Sequence, residues 1–236
     1  MGLPLIQSPT FAIVQPSTQK EILIRPFLVK EEKILLISKE SKEDKDIYAA
    51  VKQVVQNCVL SEEFNVENIP VYDLEYLFIK LRAYSVSNIV KFSVEDSDDG
   101  IVYDLETNLD DVEVIFPEGH TNKIMITDTI GVTLKSPTPS LSEKLKDLKN
   151  FTDILYETIL HCIDLVFDND EIYEWHNYPD DEKAMFLDTL PVESYQKISA
   201  FFETSPKIEH VVTYENSQGK EKRVVFRSIT DFFTLG

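Results

Sequence analysis

The chain has 236 residues and a formal net charge of −19, with 42 Asp and Glu against 23 Lys and Arg. That excess of acid argues against the clustered basic surface that duplex nucleic acid requires, and it makes a basic or apolar surface the natural partner. An apolar content of 43% rules out wholesale disorder, and the length allows one to three domains.

The first segment, MGLPLIQSPT, has neither a basic n-region nor a long apolar h-region, so no signal peptide is expected. Residues 1–20 carry Pro4, Pro9 and Pro16 among Ser, Thr and Gln and read as an extended arm, with Phe11 to Val14 able to pair as an edge strand. EILIRPFLV (21–29) reads as a strand that Pro26 limits to an edge or a bulge. Lys30 to Glu40 reads as a short amphipathic helix with Ile34, Leu35 and Ile37 as its apolar residues. A second helix follows the polar break SKEDKD, with Ile47, Ala50, Val51, Val54, Val55 and Cys58 on its buried face.

Residues 69–92, IPVYDLEYLFIKLRAYSVSNIVKF, organise the chain. Pro70 suits a helix start, and Leu74, Leu77, Phe78 and Leu81 fall at i, i+3, i+4 and i+7 to form one apolar stripe. Asp73 and Glu75 lie at the positive end of the helix dipole, and Lys80 and Arg82 lie late in the helix.

From Lys91 the period drops towards two. VKFSVE, VYDLE, VEVIF and KIMIT, separated by DSDDG, NLDD and PEGH, read as an antiparallel meander. SPTPS (136–140) reads as a linker, and Ser140 with Glu143 fits a capping box. Leu141, Leu145, Leu148, Leu155, Ile159, Cys162 and Val166 then keep a 3,4 spacing, broken only by Thr152 in the Leu148–Leu155 gap, which predicts one long helix over 141–166. Its seam either packs against helices in 182–203 or joins a second copy of the chain. DNDEIYEWHNYPDD (168–181) reads as an acidic, aromatic loop, and VVTYE and KRVVFR read as a hairpin around NSQGK. Phe232 and Phe233 are expected to tuck the tail down.

These readings give an α+β protein: an extended arm (1–20), a mixed α+β domain with the meander (21–139), a helical domain (140–210) and a C-terminal hairpin (211–236). No run approaches the roughly 18 apolar residues of a membrane span, so no membrane insertion is expected. Cys58 and Cys162 lie far apart in helical contexts and form no disulfide framework.

No catalytic constellation stands out. His120, His161, His176 and His210 lack metalloprotease spacing. There is no G-x-S-x-G elbow, Walker loop or G-x-G-x-x-G. EDSDDG places Gly100 as an EF-hand glycine would, but Glu95 is a poor first ligand, so both acidic runs are expected to be solvated turns. No catalytic, metal or cofactor residues are assigned. Trp175 and Tyr178 could anchor a partner, since Trp and Tyr dominate interface hot spots, or could plug a gap between helices.

PSTQKEILIRPFLVKEEKILLISKES (16–41), DIYAAVKQVVQNC (46–58) and IPVYDLEYLFIKLRAYSV (69–86) together resemble the baseplate hub assembly proteins of T-even-like contractile-tailed bacteriophages. The resemblance implies a non-enzymatic viral protein, without cofactor, that binds baseplate hub proteins in the host cytoplasm and either stays in the virion tail or leaves as a chaperone. The alternative is an adaptor for one folding partner with no role in the particle. Some members of that family carry Cys-x-x-Cys in the terminal hairpin. The matching stretch here, YENSQGKEKR, has none, so a plain hairpin is expected. Arg25, Phe27, Glu31, Glu32 and Lys33, in the RPF and KEEK segments, are candidates for the partner interface, beside a structural role as core residue and helix-start charges.

Overall fold

The computed structural model of the protein describes residues 6–41 and 43–233. The first five residues of the expected arm and the last three of the tail lie outside them. The fold is α+β and comprises two compact units, one built from residues up to 115 together with those from 207 onward, the other from 116–206.

The first unit starts with β1 (Phe11–Val14) and β2 (Glu21–Ile24), an antiparallel pair that sets Ile13 opposite Ile22. Three helices follow: α1 (Val29–Ser41), α2 (Asp44–Cys58) and α3 (Val71–Ser85). The apolar face expected of α2 is buried residue for residue. On α3, Leu74, Leu77, Phe78 and Leu81 are all enclosed in one cluster with α2 and the β1–β2 pair. Ile79, on the other side of α3, enters a second cluster with Val90, Leu109, Ile208, Phe226 and Phe232.

Because α3 is buried on both sides, its polar residues need partners inside the chain. Asp73 is fully buried and accepts from the Gln15 side chain at 2.6 Å, the Ser17 N–H at 3.0 Å and the Ser17 hydroxyl. This fixes the turn between β1 and β2. Lys80 donates to the carbonyls of Leu109 and Asp110 at 3.1 and 2.8 Å, and Arg82 donates to the Phe232 carbonyl at 2.8 Å.

The chain continues through β3 (Ile89–Glu95) and β4 (Val102–Asn108), a hairpin closed at DSDDG, and then β5 (Val114–Ile115). The second unit contains a four-stranded antiparallel sheet in the order β6 (Lys123–Met125), β7 (Ile130–Leu134), β8 (Ile163–Asp168) and β9 (Glu171–Glu174). Between β7 and β8 lie α4 (Pro139–Leu145) and α5 (Phe151–Cys162), and after β9 come α6 (Asp180–Asp188) and α7 (Val192–Glu203). Gly131 on β7 is required by its neighbours: a Cβ there would sit 2.3 Å from the Phe167 ring.

The chain then returns to the first unit as β10 (Lys207–Ile208), which pairs with β5. β11 (His210–Glu215) and β12 (Glu221–Phe226) form the terminal hairpin, and α8 (Ile229–Phe233) buries Phe232 and Phe233 as expected.

Several local expectations give way. The stretch 168–181 is not a loop throughout, since EIYE (171–174) forms β9 against β8. The 141–166 stretch is not one helix, and no continuous seam runs along it. It breaks after Leu145, Asn150 caps α5 through the Thr152 N–H, and IDLVFD alternates as strand β8. SPTPS is not a linker between units, since β7 before it pairs with β8 after it. Thr138, not Ser140, caps α4. The strands of 89–134 do not form one meander: β3 and β4 pair with each other, β5 pairs with β10, and β6 and β7 belong to the sheet of the second unit.

DSDDG is also more than a solvated turn. Asp99 accepts from the Tyr103 hydroxyl, the Ser217 N–H and the Ser217 hydroxyl at 2.7, 3.1 and 2.7 Å. Asp96 accepts from the Tyr214 hydroxyl at 2.9 Å, and Asp98 lies 2.9 Å from Lys222. The two hairpin tips are thereby clasped. Burial pushes the Asp99 carboxyl up, but its hydrogen bonds from Ile101, Ser217 and Tyr103 outweigh that and hold it down at about 2.

Removing the Asp73 carboxylate takes an acceptor from the buried Gln15 amide and from the half-buried N–H and hydroxyl of Ser17. Asp73→Ala is therefore expected to destabilise the first unit by about 2–4 kcal/mol, read as a lowered urea midpoint at unchanged slope. Glu75 tests the opposite sign. Burial pushes its carboxyl from 4.5 up to about 7, against the opposing hydrogen bond from the Ile229 N–H and with added repulsion from Asp231. A carboxyl raised in the folded state stabilises it below the unfolded value and loses that contribution as pH rises through 7. Glu75→Gln should thus gain about 1–3 kcal/mol relative to wild type between pH 5 and pH 8, measured by urea unfolding at both pH values. A stability difference that stays constant with pH would rule out this assignment.

Candidate functional site

The expected interface residues of the first unit fall into two groups. Arg25 and Glu31 are used within the fold. Glu31 is fully enclosed and receives Arg25 Nη2 at 2.9 Å and the Leu28 N–H at 2.9 Å. Arg25 also donates to the carbonyls of Pro26 and Asn57 at 3.0 Å each. The pair thus joins the end of β2, the start of α1 and the end of α2. Burial raises the Glu31 carboxyl, but the Arg25 and Leu28 hydrogen bonds outweigh it and leave its pKa lowered. Phe27 is half-buried against the α1–α3 cluster, and its N–H donates to the Ser85 hydroxyl at 2.9 Å. Glu32 and Lys33 remain on the accessible side of α1. Glu32 borders a concavity of about 270 Å³ whose wall includes Phe27, Leu36, Phe78 and Phe233.

The second unit holds a larger cleft of about 460 Å³, lined by Ile130, Tyr173, Trp175, Tyr178, Met185 and Phe186. Trp175 is itself buried, only 7% exposed, and its ring N–H donates to the Leu160 carbonyl at 2.8 Å. Phe186 meets it edge-on at 5.6 Å. Trp175 therefore plugs the gap between β9 and the helices and presents only a wall of the cleft. Tyr178 is half-buried and Met185 stands exposed. Asp168, Glu182 and Lys183 also line the cleft, so two acids and one base stand among its apolar walls. Such a site takes an apolar side chain. Trp175 and Tyr178 were visible in the sequence. Met185 and Phe186 were not, because α6 supplies them only after β9 has turned back beside β8.

Among the described residues, no group of three or more His, Cys, Asp or Glu is placed to hold a metal ion. The four histidines have separate surroundings. His120 stacks on Phe201 at 4.7 Å, His161 contacts Glu157, His176 contacts Glu174, and His210 shares a 2.6 Å hydrogen bond with Thr107. Cys58 and Cys162 are free thiols pushed up to about 11 and about 12 by burial, which makes them poor nucleophiles. No helix among the described residues is long and apolar enough to cross a membrane.

A search of curated proteins and one of solved structures each found no match. The model of one protein family, described as T4 bacteriophage base plate protein, matches residues 8–234, which takes in both units. A match of that extent places the whole described chain in one lineage: it belongs to the T4 bacteriophage base plate protein family.

Proposed function

We propose that this baseplate protein is non-enzymatic and binds hub components while the baseplate is assembled in the host cytoplasm, as a hub subunit or as an assembly chaperone. The observation that carries this reading is the family match over residues 8–234. The carboxylates Glu31, Asp73 and Asp96 are engaged by donors of the chain itself, and Glu75, raised to about 7, accepts from the Ile229 N–H. The contact surface we assign is the apolar cleft of the second unit, with Tyr178 and Met185 at its mouth and the buried Trp175 as its rigid back wall. Its partner segment carries an apolar anchor.

Quantitative mass spectrometry of purified particles and of assembly intermediates tests the assignment. A fixed ratio to hub proteins in particles identifies a hub subunit, and presence only in hub-containing intermediates identifies a chaperone. Absence from both overturns the proposal. The cleft has its own test. Met185 is 64% exposed, so Met185→Asp should change stability by no more than about 0.5 kcal/mol, yet lower recovery with hub components at least about tenfold. Unchanged recovery would remove the cleft from the interface.

A further inference from the structure

The side of helix α1 that faces away from its own unit carries exposed apolar residues among charged ones. Glu31, Leu35 and Ser38 point inward and are buried. Successive residues of a helix turn by about 100°, which puts Val29, Lys33, Leu36 and Glu40 on the opposite side, with Ile37 at its edge. Val29, Leu36 and Ile37 are 85%, 53% and 59% exposed. Apolar residues grouped on one exposed face mark a contact surface. Ile37, one of the three apolar residues expected of this amphipathic helix, faces outward while Leu35 is buried.

The charges along this face indicate what covers it. Lys33 and Glu40 lie seven residues apart, two turns along the same face, with Leu36 and Ile37 midway between them. Neither is held in an ion pair by a described residue. On one flank, Glu32 and Lys39 repeat the seven-residue spacing in the reverse order of sign. When two copies of α1 are laid antiparallel about a two-fold axis between Leu36 and Ile37, Lys33 of each meets Glu40 of the other, and Glu32 of each lies beside Lys39 of the other. The apolar residues Leu36 and Ile37 then fill the centre. A parallel arrangement would set Lys33 against Lys33. Local charge permits the approach: α1 carries three lysines and three glutamates, and one of those, Glu31, is enclosed and neutralised by Arg25. In a chain of net charge −19, this face is free of the acid excess that would keep two copies apart.

We infer that the outward face of α1 is an isologous interface with a second copy of this chain, its helices antiparallel and joined by reciprocal Lys33–Glu40 pairs around Leu36 and Ile37. One 13-residue helix covers less than the roughly 800 Å² per partner of a standard interface, so the dimer is weak and depends on concentration. This inference is independent of the hub-binding cleft, which lies in the other unit.

Sedimentation equilibrium of the full chain at near-physiological salt, from micromolar to submillimolar concentration, tests it. Wild type should show a reversible monomer–dimer equilibrium, and Leu36→Asp should be monomeric throughout. Lys33→Glu and Glu40→Lys should each raise the dimer Kd by about tenfold, because each turns two attractive contacts into two repulsive ones. The double variant Lys33→Glu/Glu40→Lys should return to within about threefold of wild type, since antiparallel pairing exchanges the two signs. Melting curves of the Lys33 and Glu40 variants should match wild type, because these side chains are exposed. A wild-type chain that stays monomeric, a dimer indifferent to Leu36→Asp, or a double variant no better than the singles would each overturn the inference.

Discussion

Helix α3 is enclosed on two sides, and a polar group inside a protein must be given a partner. That constraint shapes the whole first unit. Asp73 reaches the turn after β1, Glu75 the start of α8, Lys80 the backbone at Leu109 and Asp110, and Arg82 the carbonyl of Phe232. These four residues thus fix three distant segments: the β1–β2 turn, the backbone at Leu109 and Asp110, and α8. The apolar stripe supplies the driving force for collapse. The polar residues determine which arrangement of the surrounding segments satisfies the chain.

The segments that resemble the baseplate family form one connected network for this reason. Ser17, from the PST turn, donates to Asp73 at the start of α3. Phe27, from the RPF strand end, donates its N–H to Ser85 at the far end of the same helix. Arg25 and Glu31 tie the RPF and KEEK segments to the last turn of α2 at Asn57 and Cys58. What looks like three separate motifs along the chain is a single set of mutually dependent contacts around α3.

Local physics made much of this legible. The stripes on α2 and α3 were readable because their periodicity is strong and their flanks are polar, and the terminal hairpin because a turn sequence separates two alternating runs. The failures fall where distant partners decide the outcome. ILHCIDLVFD is apolar enough to satisfy a helical and an extended period at once, and only pairing with β7 and β9 decides that its second half is a strand. DSDDG looked solvated because its partner, Ser217, lies 118 residues away. The second unit's cleft was half visible: Trp175 and Tyr178 announced themselves, while Met185 and Phe186 depended on the direction in which α6 returns. On α1, composition suggested one apolar side, and only packing revealed two.

The two-residue pairing of β5 with β10 carries a consequence of another kind. Ile115 and Lys207 are direct partners across that ladder, so the points where the chain leaves and rejoins the first unit are neighbours. Everything between them forms a closed excursion whose ends meet. Such a segment can be lengthened, shortened or exchanged over generations without altering the separation its host must bridge. The first unit can therefore keep its internal network whatever the length of the excursion.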